Sequence, residues 1–90
     1  MATMDQDLTT TPVDIKDTLS LTVGVTYLVH NDGGLVVKLS KQASSPDSAS
    51  ARKKAFPVYP KKDYRVLMDT SPVWAWVPRS TGHIIVGEDI

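Results

Sequence analysis

Apolar and polar residues alternate along most of this chain with a period of two, the pattern of a strand that buries one face. Turn-forming Gly, Pro, Asn, Asp and Ser residues separate these short segments, and nothing in the chain indicates a βαβ unit or an internal repeat. The strand-like segments are residues 19–23, 25–29, 35–39, 55–59, 64–68, 73–77 and 83–87. This pattern predicts an all-β fold, either a single small β-sandwich or a jelly-roll or barrel domain.

The strongest turn signal is Asn-Asp-Gly-Gly at residues 31–34, because these residue types tolerate the positive φ angles of tight hairpin turns. With its apolar flanks, this turn predicts a β-hairpin over residues 25–41. Gly24 interrupts an alternating pattern and predicts a bulge or a tight bend. The Ser-rich residues 42–54 predict a loop, and Pro57 predicts an edge position for the strand that contains it.

The chain has 90 residues and a mass of 9.8 kDa, which suffices for one domain. A domain of this size buries only about 60–65% of its unfolded surface, so assembly with other chains would add stability. Cys is absent, which excludes disulfides and thiolate zinc sites. No apolar run approaches the roughly 20 residues of a transmembrane helix. The first residues lack the basic start and apolar stretch of a secretory signal, so we expect no membrane association.

Residues 1–17 are predicted to form a flexible N-terminal arm, followed by the β-sandwich domain at residues 18–90. The first twelve residues hold acids and Thr but no aromatic side chain, and a short edge strand is possible just after them. We expect the arm to dock on a neighbouring subunit, and removal of residues 1–12 to leave the fold intact while reducing docking. The arm residues expected at this interface are Asp5, Asp7, Leu8, Val13 and Ile15.

Charge is unevenly distributed, although the formal net charge is zero. Residues 1–35 carry a balance of minus four, and residues 41–65 a balance of plus five. A chain with two oppositely charged parts can pack head to tail or join several copies in a ring, whereas ordinary solvated loops are the alternative. The basic residues expected to meet an acidic surface are Arg52, Lys53, Lys54, Lys61 and Lys62.

Candidate chemistry is sparse in this sequence. The two His residues, His30 and His83, lack the spacing of a metal site. No Gly-x-Ser-x-Gly motif positions a nucleophile, and Gly33-Gly34 is followed by a strand instead of a phosphate-binding helix. We therefore predict no catalytic residue, no cofactor and no metal.

Two binding interpretations remain open. The basic residues, with Phe56, Tyr59 and Tyr64 nearby, have the mixture of cations and rings used by oligonucleotide-binding barrels, although zero net charge disfavours nucleic acid as a partner. Trp74 and Trp76 lie on one face of a strand. They pack in the core, or, if the intervening small residues fill the core, they form an anchor for a partner chain.

The order of these features resembles that of small virion proteins of tailed bacteriophages. The resemblance extends over roughly residues 19–88 and rests on short patterns in place of a diagnostic motif. These patterns are LTVGVTYLV at 21–29, the Asn turn, the Ser/Pro loop, Tyr-Pro at 59–60, VWAW at 73–76 and GHIIVGE at 82–88. The proteins concerned are β-sandwiches that decorate heads or form the bases of fibres and tail attachments.

The resemblance implies a non-enzymatic structural protein that assembles in multiple copies, with a homotrimer favoured. Its partner would be the major capsid protein or another virion protein, and its place would be the virion after synthesis in the host cytoplasm. A head decoration or cement protein is the leading interpretation. A tail, neck or fibre-base component is the alternative of the same class, and a small oligonucleotide-binding β-barrel is the alternative of a different class.

Overall fold

The computed structural model describes residues 3–89; residues 1, 2 and 90, which fall in the predicted arm and domain, lie outside the described residues. The described part forms eight strands and two one-turn helices. In chain order these are β1 (Thr3–Leu8), β2 (Val13–Asp14), α1 (Ile15–Thr18), β3 (Thr26–Asn31), β4 (Val37–Lys41), α2 (Ala49–Arg52), β5 (Phe56–Val58), β6 (Asp63–Leu67), β7 (Val73–Trp76) and β8 (Gly82–Glu88).

The strands form two antiparallel sheets of four strands each. Sheet A has the order β1-β8-β3-β6, and sheet B has the order β2-β7-β4-β5. Each strand of the first half pairs with its counterpart counted from the other end of the chain: β1 with β8, β2 with β7, β3 with β6, and β4 with β5. The chain is thus one long hairpin, rolled up by the further pairings of β3 with β8 and β4 with β7. This eight-stranded jelly roll confirms the predicted all-β sandwich.

The core lies between the two sheets and follows the alternation read from the sequence. In β3 the side chains of Tyr27 and Val29 point inward, whereas those of Leu28 and His30 point outward. The buried hydrophobic cluster consists of Leu8, Ile15, Leu21, Tyr27, Val29, Val37, Leu39, Val58, Val66, Met68, Val73, Ala75, Val77, Ile84 and Val86. Every strand contributes to the cluster except the two-residue β2.

The predicted hairpin over residues 25–41 is wrong, although both of its strands form. β3 belongs to sheet A and β4 to sheet B, so the turn at residues 31–34 carries the chain from one sheet to the other. Asn31 is fully buried there, its Nδ2 donates to the carbonyl oxygens of Leu35 and Val58, both at 2.7 Å, and its Oδ1 accepts from the Gly33 N–H at 3.0 Å. A local turn signal does not specify which strands pair, and here more distant strands provide the partners.

The predicted strand at residues 19–23 is a loop. Ser20 adopts a φ of 52°, which a strand does not allow, and the backbone N–H of Thr22 donates to the Tyr27 hydroxyl at 2.9 Å. Gly24, with a φ of 90°, donates its N–H to the Met68 carbonyl oxygen, while the Met68 N–H donates to the carbonyl oxygen of Val25. Gly24 and Val25 therefore both face Met68 on the neighbouring chain segment, so the bulge predicted at Gly24 is confirmed.

The flexible arm predicted for residues 1–17 is also corrected, because residues 3–8 are an edge strand of sheet A. β1 pairs with β8 over six residues, from Thr3 opposite Gly87 to Leu8 opposite Gly82. Leu8 and Ile15 are fully buried, so neither is available as an arm contact to a neighbour. Of the short edge strand that the sequence makes possible at residues 12–17, only β2 (Val13–Asp14) forms, at the edge of sheet B, and the residues from Ile15 onward form α1 instead. The alternation of β1 is hard to recognise in the sequence because the polar Gln6 occupies one of its three inward positions, between Met4 and Leu8.

Gly82 is required by a close approach between β8 and the end of β7. A Cβ at this position would lie 2.5 Å from Cγ1 of Val77, a buried side chain that has little room to move. We expect Gly82→Ala to lower the free energy of unfolding by about 1–3 kcal/mol, measured by urea denaturation. Gly34→Ala is the matched control, because a Cβ there meets nothing within 4 Å. Equal effects of the two substitutions would contradict this assignment.

Candidate functional site

Large apolar side chains are exposed mainly on one side of the sandwich, where the edge strands β5 and β6 lie. Phe56, Tyr59 and Leu67 are 52%, 58% and 53% exposed. Within residues 3–89, the one other large hydrophobic side chain exposed to this degree is Val23, at 55%. Single exposed apolar residues are ordinary, but three on or next to two adjoining edge strands indicate a contact surface. We call the surface formed by Phe56, Tyr59, Tyr64, Arg65 and Leu67 the β5–β6 side.

A groove of about 260 Å³ opens between β4 and β6 on this side. Phe56 pairs with Leu39 of β4, so its ring points to the inner face of sheet B and reaches the ring of Tyr64 on β6. The two ring centroids are 5.5 Å apart with planes 23° from parallel, and this stack closes one end of the groove. Val66, Leu67 and Val73 line its apolar walls.

Lys41 and Asp69 form a polar pair at the rim of the groove. The Lys41 ammonium donates to the Leu67 carbonyl oxygen at 2.8 Å and to Oδ2 of Asp69 at 3.2 Å. The Ser71 backbone N–H donates to Oδ1 of the same carboxylate at 2.8 Å. The hydrogen bond from Ser71, followed by that from Lys41, lowers the pKa of Asp69 below its ordinary value of 3.8.

This lowered pKa predicts a pH dependence of stability. A carboxyl group whose pKa is lower in the folded state stabilises the fold above its unfolded pKa, and the stabilisation is lost as the pH falls through the folded pKa. We expect Asp69→Asn to be less stable than the parent chain at neutral pH, with a difference that shrinks as the pH falls below 3.8. Urea denaturation at a series of pH values measures this, and Lys41→Gln should reduce the pH dependence. A difference that stays constant down to about pH 2 would contradict the assignment.

The basic residues singled out in the sequence lie at the two ends of β5. Arg52, Lys53 and Lys54 precede the strand, and Lys61 and Lys62 follow it. Lys61 adopts a φ of 64° and donates to the Asp32 carbonyl oxygen at 3.0 Å. No hydrogen bond or ion pair within residues 3–89 joins the two groups. Lys53, Lys54 and Lys62 are exposed.

The acidic residues of the predicted arm lie at the opposite edge of sheet A. Asp5 and Asp7 are exposed on the outer face of β1, and Oδ2 of Asp5 lies 3.5 Å from Nε2 of His83. Nδ1 of the same imidazole lies 3.4 Å from Oδ2 of Asp32. Val13 on β2 is half-buried. Asp5 and Asp7 therefore lie at the side of the sandwich opposite β5 and β6, because a jelly roll places β1 and β2 on one side and β5 and β6 on the other. Asp32, which belongs to the same acidic part of the sequence, instead lies beside Lys61 of the basic part, with 3.6 Å between Oδ1 and Nζ.

Trp74 and Trp76 lie on the outer face of sheet B, because the buried Val73, Ala75 and Val77 fill the core beneath them. The loop at residues 42–54 folds back over the two rings. The Trp74 Nε1–H donates to the Gln42 carbonyl oxygen at 2.9 Å, and the Arg52 guanidinium lies 5.6 Å from the centre of the Trp76 ring. Trp76 is buried and Trp74 is half-buried. The chain itself thus occupies much of the surface that an anchor for a partner would need.

Within residues 3–89 no group of three or more His, Cys, Asp or Glu side chains is placed to hold a metal ion. His30 lies on the outer face of sheet A with its Nδ1 2.5 Å from Oδ1 of Asp63, so the two His residues have separate carboxylate neighbours. Neither helix in this part of the chain has the length and apolar character needed to span a bilayer.

Leu67 and Lys41 line the groove but were not singled out in the sequence. Leu67 offered a signal, because it is an apolar residue at an outward position of a strand whose inward positions carry Tyr64, Val66 and Met68. The pairing of Lys41 with Asp69 offered none, because these residues lie on separate strands and meet only through the fold. No protein-family model, no curated protein and no solved structure matches this chain. The geometry and the sequence therefore carry the functional interpretation.

Proposed function

We propose that this chain is a non-enzymatic structural protein of a tailed bacteriophage virion, and that it binds the head in multiple copies as a decoration or cement protein. The observation that carries the proposal is the strand order of an eight-stranded jelly roll. Viral capsid domains use this architecture, as do lectins and cupins, so the fold alone does not decide between functions. The virion is favoured by the resemblance of residues 19–88 to small phage structural proteins.

The exposed side chains of the β5–β6 side support a protein as the partner. Phe56, Tyr59 and Leu67 combine apolar area with basic residues at both ends of β5. Aromatic side chains are enriched at the centre of protein interfaces, where they bury area with little loss of side-chain freedom. The partner on this proposal is the major capsid protein or another virion protein, and the location is the assembled particle.

The first test asks whether the chain is part of the particle. Virions of the phage that encodes it are purified on a density gradient, and the copy number of the chain is measured by quantitative mass spectrometry. We expect many copies per particle, and labelling in electron micrographs distinguishes the head from the tail, neck or fibre base. Absence of the chain from purified particles would contradict the proposal.

The second test asks whether the β5–β6 side makes the contact. Purified chain is mixed with heads that lack it, and bound protein is measured by co-sedimentation. We expect the double variant Phe56→Asp, Tyr59→Asp to bind at least about tenfold more weakly than the parent chain. Val23→Asp is the matched control, because Val23 is equally exposed but lies outside this side. Thermal unfolding confirms that each variant folds, and equal losses for both would contradict the proposed contact.

A small oligonucleotide-binding domain is the alternative of a different class. It would use the basic residues and rings singled out in the sequence: Arg52, Lys53, Lys54, Lys61, Lys62, Phe56, Tyr59 and Tyr64. Part of this set is already engaged within the chain, because Phe56 stacks on Tyr64, Arg52 lies over the Trp76 ring and the Lys61 ammonium lies 3.6 Å from Oδ1 of Asp32. Binding to single-stranded oligonucleotides that falls steeply with salt would favour this alternative over the virion proposal.

A further inference from the structure

The two edges of sheet A are suited to pairing with another chain. β1 and β6 have six and five residues, whereas the edges of sheet B are the two-residue β2 and the three-residue β5, which contains Pro57. Short strands and Pro protect an edge from further pairing, because they leave few backbone donors. Sheet B is therefore blunted at both edges, and sheet A is not.

The backbone of β6 presents alternate residues to its free edge. The Lys62 carbonyl oxygen accepts from Asn31, and the Met68 N–H donates to Val25, so the even-numbered residues of this strand bond toward β3. Antiparallel ladders alternate, so the N–H and C=O groups of the odd-numbered Asp63, Arg65 and Leu67 point away from the sheet. Of these groups, the Leu67 carbonyl oxygen already accepts from the Lys41 ammonium at 2.8 Å, and its second lone pair is left for a further donor. These are also the residues whose side chains face outward.

The backbone of β1 has the same arrangement at the opposite edge. Along β8, the His83 carbonyl oxygen accepts from the Asp32 N–H, and the Asp89 N–H just after the strand donates to the Thr26 carbonyl oxygen. The odd-numbered residues of β8 therefore bond toward β3, and the even-numbered residues bond toward β1. The even-numbered residues of β1 oppose these even-numbered residues of β8. Alternation then directs the backbone groups of Asp5 and Asp7 to the free edge. Their side chains face outward as well.

We propose that the β1 edge of one copy of this chain adds to the β6 edge of a second copy, as an antiparallel, head-to-tail extension of sheet A with Asp7 opposite Arg65. The inference deepens the proposed function and rests on it for the assembly of several copies. Strand direction alternates across sheet A, so β1 of a copy rotated about an axis parallel to the strands lies antiparallel to β6. Such a heterologous contact repeats from copy to copy and closes into a ring when the rotation permits.

Charge disfavours the pairing of two β1 edges and favours this register of the head-to-tail pairing. The β1 edge carries Asp5 and Asp7, so two β1 edges repel each other. Two β6 edges could also set Asp63 of one copy against Arg65 of the other, but Asp7→Arg would leave that contact intact. For the two edges to hydrogen-bond with their outward side chains on the same face, the residues that oppose each other must be odd-numbered on both strands. Only a few registers meet this condition. With Asp7 opposite Arg65, Asp5 lies opposite Leu67, and Asp63 lies beyond the end of β1. A shift of two residues would instead set Asp7 against Asp63. The chosen register pairs opposite charges and also covers an exposed apolar side chain.

Charge reversal tests the contact in solution without any virion. The Kd of self-association is measured by sedimentation velocity for the parent chain, for Asp7→Arg, for Arg65→Asp and for the double variant. We expect each single variant to self-associate at least about tenfold more weakly, and the double variant to recover to within about threefold of the parent. Asp47→Arg is the control for net charge, because Asp47 is exposed on the α2 loop. Raising NaCl from about 0.1 M to about 1 M should weaken the parent contact.

A covalent trap keeps the inference testable if Arg65→Asp destabilises the fold through its neighbour Asp89. The chain has no Cys, so introduced thiols react only with each other. We expect Asp7→Cys combined with Arg65→Cys to form multimeric ladders on mild oxidation, and either single variant to stay monomeric on a denaturing gel. Disulfide dimers of a single variant would indicate like-to-like edges and overturn the inference. So would a parent chain that stays monomeric at every concentration, or a double charge variant that does not recover.

The two proposals fail separately. A chain that binds heads but remains monomeric in solution and after oxidation would retain the proposed function and overturn the head-to-tail contact. A chain that self-associates as expected but is absent from purified virions would retain the contact and overturn the proposed function.

Discussion

Removal of residues 1–8 is expected to abolish the cooperative unfolding transition of this domain. These residues supply β1, whose six pairs with β8 would be lost together with the buried Leu8 and the partly buried Met4. A domain of this size has a total stability of roughly 5–13 kcal/mol, and loss of a single buried Leu side chain costs about 2–5 kcal/mol. Urea denaturation followed by circular dichroism, with the dispersion of amide NMR signals, measures the outcome.

Two point substitutions test how much of the lost stability comes from the buried side chain of Leu8. Leu8→Ala should lower the free energy of unfolding by about 2–5 kcal/mol, whereas Asp7→Ala, on the opposite face of the same strand, should change it by less than about 0.5 kcal/mol. A deletion variant that keeps a native-like transition would instead support a dispensable docking arm, as the sequence predicts.

Asn31→Asp is expected to be the most damaging single conservative substitution at the turn between the sheets. The Nδ2 group of the fully buried Asn31 donates to two carbonyl oxygens, those of Leu35 and Val58, each at 2.7 Å. A carboxylate would place a buried negative charge against both, whereas Ala would only leave the carbonyl oxygens and the Gly33 N–H without partners. We expect a loss of about 2–4 kcal/mol for Ala and a larger loss for Asp at neutral pH.

The pH dependence of stability shows whether the loss in the Asn31→Asp variant comes from its charge or from its shape. Burial raises the pKa of an introduced carboxyl group, so the Asp variant should regain stability relative to the Ala variant as the pH falls and the group becomes neutral. Urea denaturation of both variants at neutral and acidic pH measures this. An Asp variant that is as stable as the parent at neutral pH would mean that this side chain does not donate to the two carbonyl oxygens.

Alternation of residue types predicts which face of a strand is buried, and it does so well in this chain. It anticipates that Val73, Ala75 and Val77 can fill the core, and Pro57 correctly indicates an edge strand. It does not predict partners, because the pairing of Thr3 with Gly87 depends on the whole fold. The turn at Asn31 has the composition of a hairpin turn, yet three hydrogen bonds of one amide side chain make it a crossover between sheets.

Part of the candidate surface could be predicted from the sequence, and part could not. The opposite charges of residues 1–35 and 41–65 are a property of composition, and the rolled hairpin places Asp5 and Asp7 at the side opposite β5 and β6. The contact between Asp32 and Lys61, which joins the two charged parts, could not be predicted from composition. The exposure of Leu67 and the stack of Phe56 on Tyr64 depend on how β5 and β6 face each other across the open side. No local pattern contains that information.

The position of β8 has a consequence for how the protein is made. This strand lies between β1 and β3 in sheet A, but it is the last of the eight described strands to leave the ribosome. Until residues 82–88 have emerged, β1 has no partner and sheet A lacks its second strand, so the nascent chain cannot complete its core. The β4–β5 pair, which is nearest in sequence, is the natural place for folding to begin, and the outer pairs must close over longer loops. We therefore expect the domain to fold only after residues 82–88 have left the ribosome, on the slow timescale of other β-sandwiches.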